Sequence, residues 1–327
     1  MKLISIVCPV YNEESGIEWF HDQLCDTLKS IKSYKFEIIY VNDGSRDNSI
    51  QKLHALKPNN HSSVVVIDLS RNFGKEPALS AGLASAKGDA AIMLDSDGQH
   101  PVALLRSFIK IWEEGAEVVI GVRRSNKNEG LIKRYGSELF YQLFNKFSGT
   151  QLTPRSTDYR LVDRTVINEF VNLKERNRIT RGLIDWLGFR REYLEFDADE
   201  RRFGVASYSF KKLVELAVNT FVSLSSLPLY ISGYAGAFFI LASSALGVFI
   251  IVEQIILGDP MKLAVSGSAM LGVLLVFLVG IILSAQGLIG VYVSRLLSEG
   301  QGRPLFIIRE IKYSKPTMNR VVKGVKQ

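Results

Sequence analysis

The chain has 327 residues, 47% of them hydrophobic and 22% charged, with a formal net charge of +7 and a pI near 9.2. That balance excludes a disordered chain and allows one large domain or two smaller ones; the positive charge suits a nucleic-acid binder, a binder of phosphorylated ligands or a protein resting on an anionic membrane. The two cysteines, Cys8 in the first apolar segment and Cys25 in an expected helix, exclude a disulfide framework and give no metal-ligand spacing, so both read as buried thiols in a reducing compartment.

The opening "MKLISIVCPVYNEE" has one lysine and a short apolar stretch with no small-residue cleavage site. It reads as a strand rather than a signal peptide, and this part of the chain is expected in the cytosol. Apolar β-rich runs follow in "FEIIYVNDGS", "VVVIDLS", "AAIMLDSD" and "AEVVIGV", separated by stretches of helical spacing such as "GIEWFHDQLCDTLKSI" and "EPALSAGLASA". Such alternation predicts a parallel sheet with helices on both faces, its functional residues gathered at the carboxyl ends of strands near a reversal of strand order. Asn12, Asp43, Asp68, Asp95 and Asp97 all fall at or just after expected strand ends.

In "DSDGQHP" two carboxylates stand one residue apart. On an extended segment they would project to one side, and leaving both ionised there calls for a cation. A divalent ion with oxygen ligands answers that need, since Mg²⁺ takes one or two carboxylates together with substrate phosphates; the plainer reading is a capped turn before "PVALLRSFIKIW". His21, His54 and His61 are expected on the surface, and only His100 adjoins the carboxylates, so no zinc spacing arises. "SRNFGKE" lacks the P-loop pattern and there is no G-x-G-x-x-G, which argues against kinase, NTPase and dinucleotide readings. There is no internal repeat and no low-complexity block.

After about residue 210 the composition changes. Leu216 to Val252 and Leu263 to Ser294 carry no charged residue, and each run exceeds the ~20 residues that span a bilayer. Two membrane helices are expected, the first divided at Pro228 from a preceding interfacial helix; a buried helical hairpin is the soluble alternative. The connection "EQIILGDPMK" offers only Lys262 against Glu253 and Asp259. Arg201, Arg202, Lys211 and Lys212 precede the first span, while Arg295, Arg303, Arg309 and Lys312 follow the second, so both large ends are expected to face the cytosol. The tail "GRPLFIIREIKYSKP" alternates as a strand does and is expected to form a hairpin or add to a sheet edge, with mobile last residues.

"VCPVYNEE", "YVNDGSRDNS" and "LSRNFGKEPALSAGLASAKGDAAIMLDSDGQHP" together resemble the family 2 glycosyltransferases of GT-A fold. With two C-terminal membrane helices, the full-length pattern resembles the polyprenyl-phosphate glycosyltransferases, especially bactoprenol glucosyltransferases and dolichol-phosphate-mannose synthases. The resemblance implies an α/β fold: a GT-A Rossmann-like catalytic domain with a mostly parallel sheet, plus two C-terminal transmembrane helices. The corresponding divisions are 1–206 for the cytosolic GT-A domain, 207–228 for the juxtamembrane interfacial helix, 229–295 for two transmembrane helices with a short non-cytosolic loop, and 296–327 for a cytosolic tail.

By the same resemblance Pro9, Tyr11, Asn12 and Glu13 would line the nucleotide pocket, and Asp43 would accept from the base N3–H, a role an acceptor-only carboxylate can fill; an Asx-turn in "NDGS" is the local alternative. Asp95 and Asp97 would meet the diphosphate through Mg²⁺ or Mn²⁺ with Gln99 assisting. Arg123 would contact donor or acceptor phosphate, with Arg124 as a surface charge. Asp158 and Arg160 in "STDYRLVDR" are open between positioning roles and an internal ion pair. "ERRFGVASYSFKKL" resembles the family's R-x-x-G-x-S/T-x-Y/W loop beside the membrane, which would put Arg201 and Ser207 at the acceptor phosphate. Ala206 stands at the usual hydroxyl position, and Ser207 comes one residue later.

The implied activity is inverting transfer of a hexose, with glucose from UDP-glucose the first choice, to polyprenyl (undecaprenyl) phosphate. GDP-mannose, UDP-N-acetylhexosamine and a UDP-aminoarabinose derivative are alternative donors. The alternative classes are a processive polysaccharide synthase, disfavoured by the lack of a Q-x-x-R-W-type motif, and a noncatalytic lipid-carrier binding or flipping component. The implied partners are the nucleotide sugar, polyprenyl phosphate, membrane lipids and further copies of the chain, with no nucleic acid. The implied location is the cytoplasmic membrane, with catalytic domain and both termini cytosolic.

Overall fold

The computed structural model describes residues 1–59, 61–124, 153, 155–176, 178–197, 267–315 and 318–323, with scattered helical positions between 234 and 252. The chain divides into two compact units, one made of Met1–Leu213 with Arg303–Gln327 and the other of Val214–Gly302.

In the first unit strands and helices alternate in chain order: β1 (Leu3–Val10), α1 (Ile17–Lys29), β2 (Lys35–Asn42), α2 (Ser49–Ala55), β3 (Ser62–Leu69), α3 (Lys75–Ser85), β4 (Ala90–Met93), α4 (Leu105–Glu113), β5 (Val118–Arg123), β6 (Ser156–Asp163), α5 (Arg164–Asn172), α6 (Thr180–Trp186) and β7 (Arg191–Phe196). The tail adds β8 (Ile308–Lys315) and β9 (Met318–Lys323). All nine described strands form one sheet in the order β7-β5-β6-β4-β1-β2-β3-β8-β9. From the pairings, β6 and β8 run against the other seven, so the chain adopts the GT-A Rossmann-like α/β fold with a mostly parallel sheet.

Alternation along the strands builds a core on each face. Ile4, Ile6, Cys8 and Val10 of β1 pack with Phe20 and Leu24 of α1 and Phe108 of α4. Val7 points the other way, into a cluster with Leu79 and Leu83 of α3, Val166 of α5, Leu183 of α6 and Ile311 of β8. Cys8 and Cys25 are both buried and free. His21 is a correction to the surface expectation: it is 4% exposed, with Nδ1 3.0 Å from the Tyr40 hydroxyl and Nε2 3.1 Å from the Lys57 carbonyl. It falls on the inward stripe of α1 with Phe20, Leu24 and Leu28, and those two partners satisfy its ring.

Two features of this topology place the site. Strand order runs outward in opposite directions from β1, to β2 on one side and β4 on the other, so a topological switch point lies between β1 and β4. The tail also returns to the sheet, since β8 pairs antiparallel with β3 from Val64↔Ser314 to Leu69↔Ile308, and β9 closes a hairpin on β8.

In the second unit, α7 (Gly267–Gly300) is 34 residues long, and its segment Phe277–Ser294 has a mean hydropathy of 1.9. Among the described residues it is the one helix long and apolar enough to cross a membrane. Of the first expected span only scattered helical positions between 234 and 252 are described, and the interfacial helix and the connection expected between the spans lie outside the described residues.

Candidate active site at the strand ends

The loops after β1 and β2 are tied together by exchanged hydrogen bonds. Asn12, in the left-handed region at φ 55°, donates its N–H to Ser45 Oγ (3.0 Å) and accepts from the Arg46 N–H (2.9 Å). Glu13 N–H donates to Ser49 Oγ at 2.9 Å, and Glu14 exchanges bonds with Asp47 and Asn48. Asparagine is one of the few non-glycine residues that visit this backbone region readily, because its short amide can bond locally. Tyr11 stands exposed beside this knot, and the Pro9 carbonyl accepts from Ser96 Oγ at 3.0 Å, which joins the ends of β1 and β4 across the switch point.

Asp43 does something the sequence did not announce. Its two carboxylate oxygens accept from the N–H groups of Phe73 (2.7 Å) and Gly74 (2.9 Å), so it clasps the loop that leads from β3 into α3. Burial raises its pKa, and the two N–H donors and nearby Arg71 pull in the opposite direction. The local turn bond belongs to its neighbour, as Asn42 Oδ1 accepts from Ser45 N–H at 3.3 Å. Gly44 lets the loops touch: at φ +62° it leaves no space for a side chain, since a Cβ would lie 2.4 Å from Arg71 C and Asn72 N.

The clasped loop delivers Lys75 to the carboxylates. Lys75 Nζ lies 2.7 and 2.9 Å from the two oxygens of Asp95 and 2.8 Å from Asp158 Oδ2. β6 brings Asp158 there: its antiparallel ladder with β4 ends at Met93↔Arg160, two residues short of Asp95 on one side and of Asp158 on the other. Burial would raise the Asp158 carboxyl, but Lys75, with Arg181 and Arg160 adding to it, holds it well below the ordinary carboxylate range. Partial burial opposes the Lys75 charge, though 42% of the side chain stays exposed, and Asp158 and Asp95 keep that ammonium above the usual lysine range. Arg160 itself is committed elsewhere, fully buried and 2.8 Å from Asp185 Oδ1. Both residues left open in "STDYRLVDR" therefore make internal ion pairs, and the pair at Asp158 reaches the site.

β4 ends at Met93, and Asp97 lies in the turn that follows Asp95. Asp97 Oδ1 accepts from Gln99 N–H at 3.0 Å, and Gly98 turns the chain at φ +74°. His100 is buried between Tyr159 and Phe196, with ring centroids 5.1 and 5.9 Å away. Its Nδ1 accepts from Asp95 N–H at 3.4 Å, and burial lowers its pKa, so the imidazole is neutral and its 3.8 Å approach to Asp95 Oδ2 is not an ion pair.

Arg123 ends β5 at the same edge of the sheet; its Nε is buried without a hydrogen-bond partner among the described residues. Arg124 is exposed and pairs with Glu195 and Asp197. Arg201, Ala206 and Ser207 lie outside the described residues. Sequence reasoning missed Lys75, whose signal was available: a lysine directly after the glycine that opens the helix following β3.

Among the described residues no three His, Cys, Asp or Glu side chains gather into a set that could hold a metal alone. Asp95, Asp97 and the Gln99 amide nevertheless offer an all-oxygen donor set, the kind hard divalent ions take when phosphate oxygens complete the shell.

The profile of the family "Glycosyl transferase family 2" matches residues 5–171. An uncharacterised glycosyltransferase of Synechocystis is 37% identical over 308 residues, covering 94% of this chain and 95% of that protein. The bactoprenol glucosyl transferase of Shigella phage SfV is 35% identical over 309 residues, covering 94% of this chain and 99% of its own. A prophage bactoprenol glucosyl transferase homolog of Escherichia coli is 36% identical over 309 residues, with the same shares.

Proposed function

The chain belongs to glycosyl transferase family 2, and from that premise we propose that it transfers glucose, with inversion, from UDP-glucose to a polyprenyl phosphate at a membrane. The observation that carries the reading is the match to the bactoprenol glucosyl transferases over 94% of this chain and 99% of theirs, which takes in the apolar segment as well as the sheet.

The chemistry asks for placement more than for a base. A phosphomonoester with a second pKa near ~6 is mostly a dianion at neutral pH, so the acceptor oxygen attacks the anomeric carbon without losing a proton. The new bond is between that carbon and the phosphate oxygen, and the bond that breaks leaves with the nucleoside diphosphate. Asn12, Glu13 and their partners on the 45–49 loop give the nucleotide a rigid wall beside Pro9 and Tyr11. Asp43 holds the 73–74 loop and keeps second lone pairs for the base N3–H. Asp95, Asp97 and Gln99 would hold Mg²⁺ or Mn²⁺, which when bound supplies charge to offset the departing diphosphate. The buried, unpartnered Arg123 Nε needs an acceptor, and a phosphate oxygen of donor or acceptor provides one. Arg201 and Ser207 are assigned to the acceptor phosphate.

Connectivity supports two membrane crossings. Residues on both sides of the 214–302 segment are stitched into one sheet through β3 and β8. A segment that leaves a body and returns to it can cross a bilayer only an even number of times, so α7 needs a companion. With the lysine and arginine bias, this puts the sheet and both termini on the cytosolic face.

The test is incorporation of label from UDP-[¹⁴C]glucose into organic-extractable lipid by membranes carrying the protein, with and without added polyprenyl phosphate. Label that depends on the lipid phosphate is the expected result, and Asp97→Asn should cut it by about 10² or more with folding intact. Release of free glucose with no lipid product, or full transfer by a folded Asp97→Asn variant, overturns the corresponding assignment.

A further inference from the structure

We propose that Lys75 is a positioning residue that occupies Asp95 in place of a divalent ion, so that ion uptake is tied to nucleotide uptake. The inference rests on the reading of Asp95 as an ion ligand. Lys75 Nζ contacts both oxygens of Asp95, at 2.7 and 2.9 Å, and therefore competes with a cation that would bridge the two oxygens of that carboxylate.

Lys75 is not a loose surface charge that happens to lie near. Gly74, at φ +104°, turns the chain into α3 directly before it, the Asp43 carboxylate fixes that turn through the N–H groups of Phe73 and Gly74, and Asp158 holds the ammonium from its other side at 2.8 Å. A residue held from two sides meets Asp95 without first being ordered. A divalent ion approaching the empty site must displace the ammonium from Asp95 and stand beside a positive charge. Once a diphosphate is present, its own negative oxygens offset both charges, and the exchange becomes favourable. By linkage, nucleotide and ion then strengthen each other's binding by the same factor, and Lys75 enlarges that factor by weakening ion binding to the nucleotide-free protein.

The test uses full-length detergent-solubilised protein and Mn²⁺ binding followed by electron paramagnetic resonance, with and without UDP. In the absence of nucleotide, Lys75→Gln should bind Mn²⁺ on the order of tenfold more tightly than wild type, as expected when a nearby positive charge and a competing ion pair are removed. Lys75→Arg, still cationic, should stay close to wild type. UDP should improve Mn²⁺ affinity more in wild type than in Lys75→Gln. Equal or weaker nucleotide-free binding by folded Lys75→Gln overturns the role of Lys75 and leaves the ion site standing. No Mn²⁺ binding by any variant, with or without UDP, overturns the ion site and this inference with it. Should Lys75→Gln fail to fold, wild-type protein with ¹³C-dimethylated lysines decides: saturating Mg²⁺ should move the Lys75 resonance, assigned by its loss in Lys75→Arg, and an unmoved resonance with Mg²⁺ bound overturns the proposal.

Discussion

Arg309 lies 241 residues beyond Asp68 in the chain, yet its guanidinium donates to Asp68 Oδ2 at 3.1 Å and to the Ser70 carbonyl at 2.6 Å. Asp68 in turn accepts from Asn42 Nδ2 at 2.7 Å, and Ser70 N–H donates to the Ile307 carbonyl at 2.9 Å. The tail therefore grips the same β3–α3 loop that Asp43 clasps from the other side. Arg309 is 61% exposed, so Arg309→Ala should cost no more than about 1 kcal/mol in thermal unfolding. A stop codon after Gly302 removes the whole grip and bares the β3 edge; we expect loss of UDP binding and aggregation, read by equilibrium dialysis and size-exclusion chromatography.

Gly44→Ala should be far more damaging than its size suggests. The added methyl meets backbone 2.4 Å away, and the position at φ +62° strains any L side chain. The 71–74 loop must shift, so UDP affinity should fall with stability. Gly287→Ala in α7, where a Cβ meets nothing within 4 Å among the described residues, is the control expected to leave UDP affinity unchanged.

Arg160 and Asp185 form a pair with both side chains at 0% exposure. Asp185→Ala leaves a buried guanidinium without its carboxylate and should cost about 3–5 kcal/mol, whereas the double change Arg160→Met/Asp185→Leu should cost much less. Chemical unfolding of the three proteins compares them, and equal losses would refute the account.

His21 predicts a pH dependence. Burial lowers its folded-state pKa below the ordinary histidine value of about 6.5, so the folded protein keeps the ring neutral while the unfolded chain takes up a proton as pH falls. Stability is full above about pH 6.5 and declines below it. His54 and His100 are shifted the same way and add to the slope. Thermal unfolding between pH 7.5 and 5.5 should show a shallower decline for His21→Gln than for wild type, with about 6.5 as the onset.

Membrane orientation is open to a direct measurement. Tags at Lys2 and Gln327 should be reached from the cytosolic side and a site near Gly258 only from the opposite side. Protease access to a single terminus from the cytosolic side would refute the even number of crossings.

Much of the sheet was legible because its period is short and its strands are buried on both faces: "LISIVCPV" is β1 from Leu3 to Val10 without a residue's difference. Strand ends were legible too, which put Asn12, Asp43 and Asp95 at the correct edge. What the sequence hid were partners chosen by tertiary register. Asp158 meets Asp95 only because β6 enters antiparallel between β4 and β5, and nothing local to "STDYRLVDR" announces that direction. Asp43 read as a base acceptor with an Asx-turn in "NDGS" as the local alternative, and neither reading announced that its acceptors serve a loop 30 residues away. His21 was expected at the surface as one of several scattered histidines, while the helical stripe carries it inward with Phe20 and Leu24.

The tail hairpin also sets an order of events during synthesis. As the ribosome works from the N-terminus, β1 to β7 emerge first, and β3 stays an open edge while residues 214–302 are made. The codons after Gly302 then supply β8 and β9, which cap that edge. A nascent chain must therefore carry an unfinished sheet until β8 emerges, and the bonds of Arg309 to the β3–α3 loop wait for that moment. The codons for β8 and β9 act as a checkpoint: a chain that stops before Ile308 keeps β3 as an unpaired strand, however well β1 to β7 have folded.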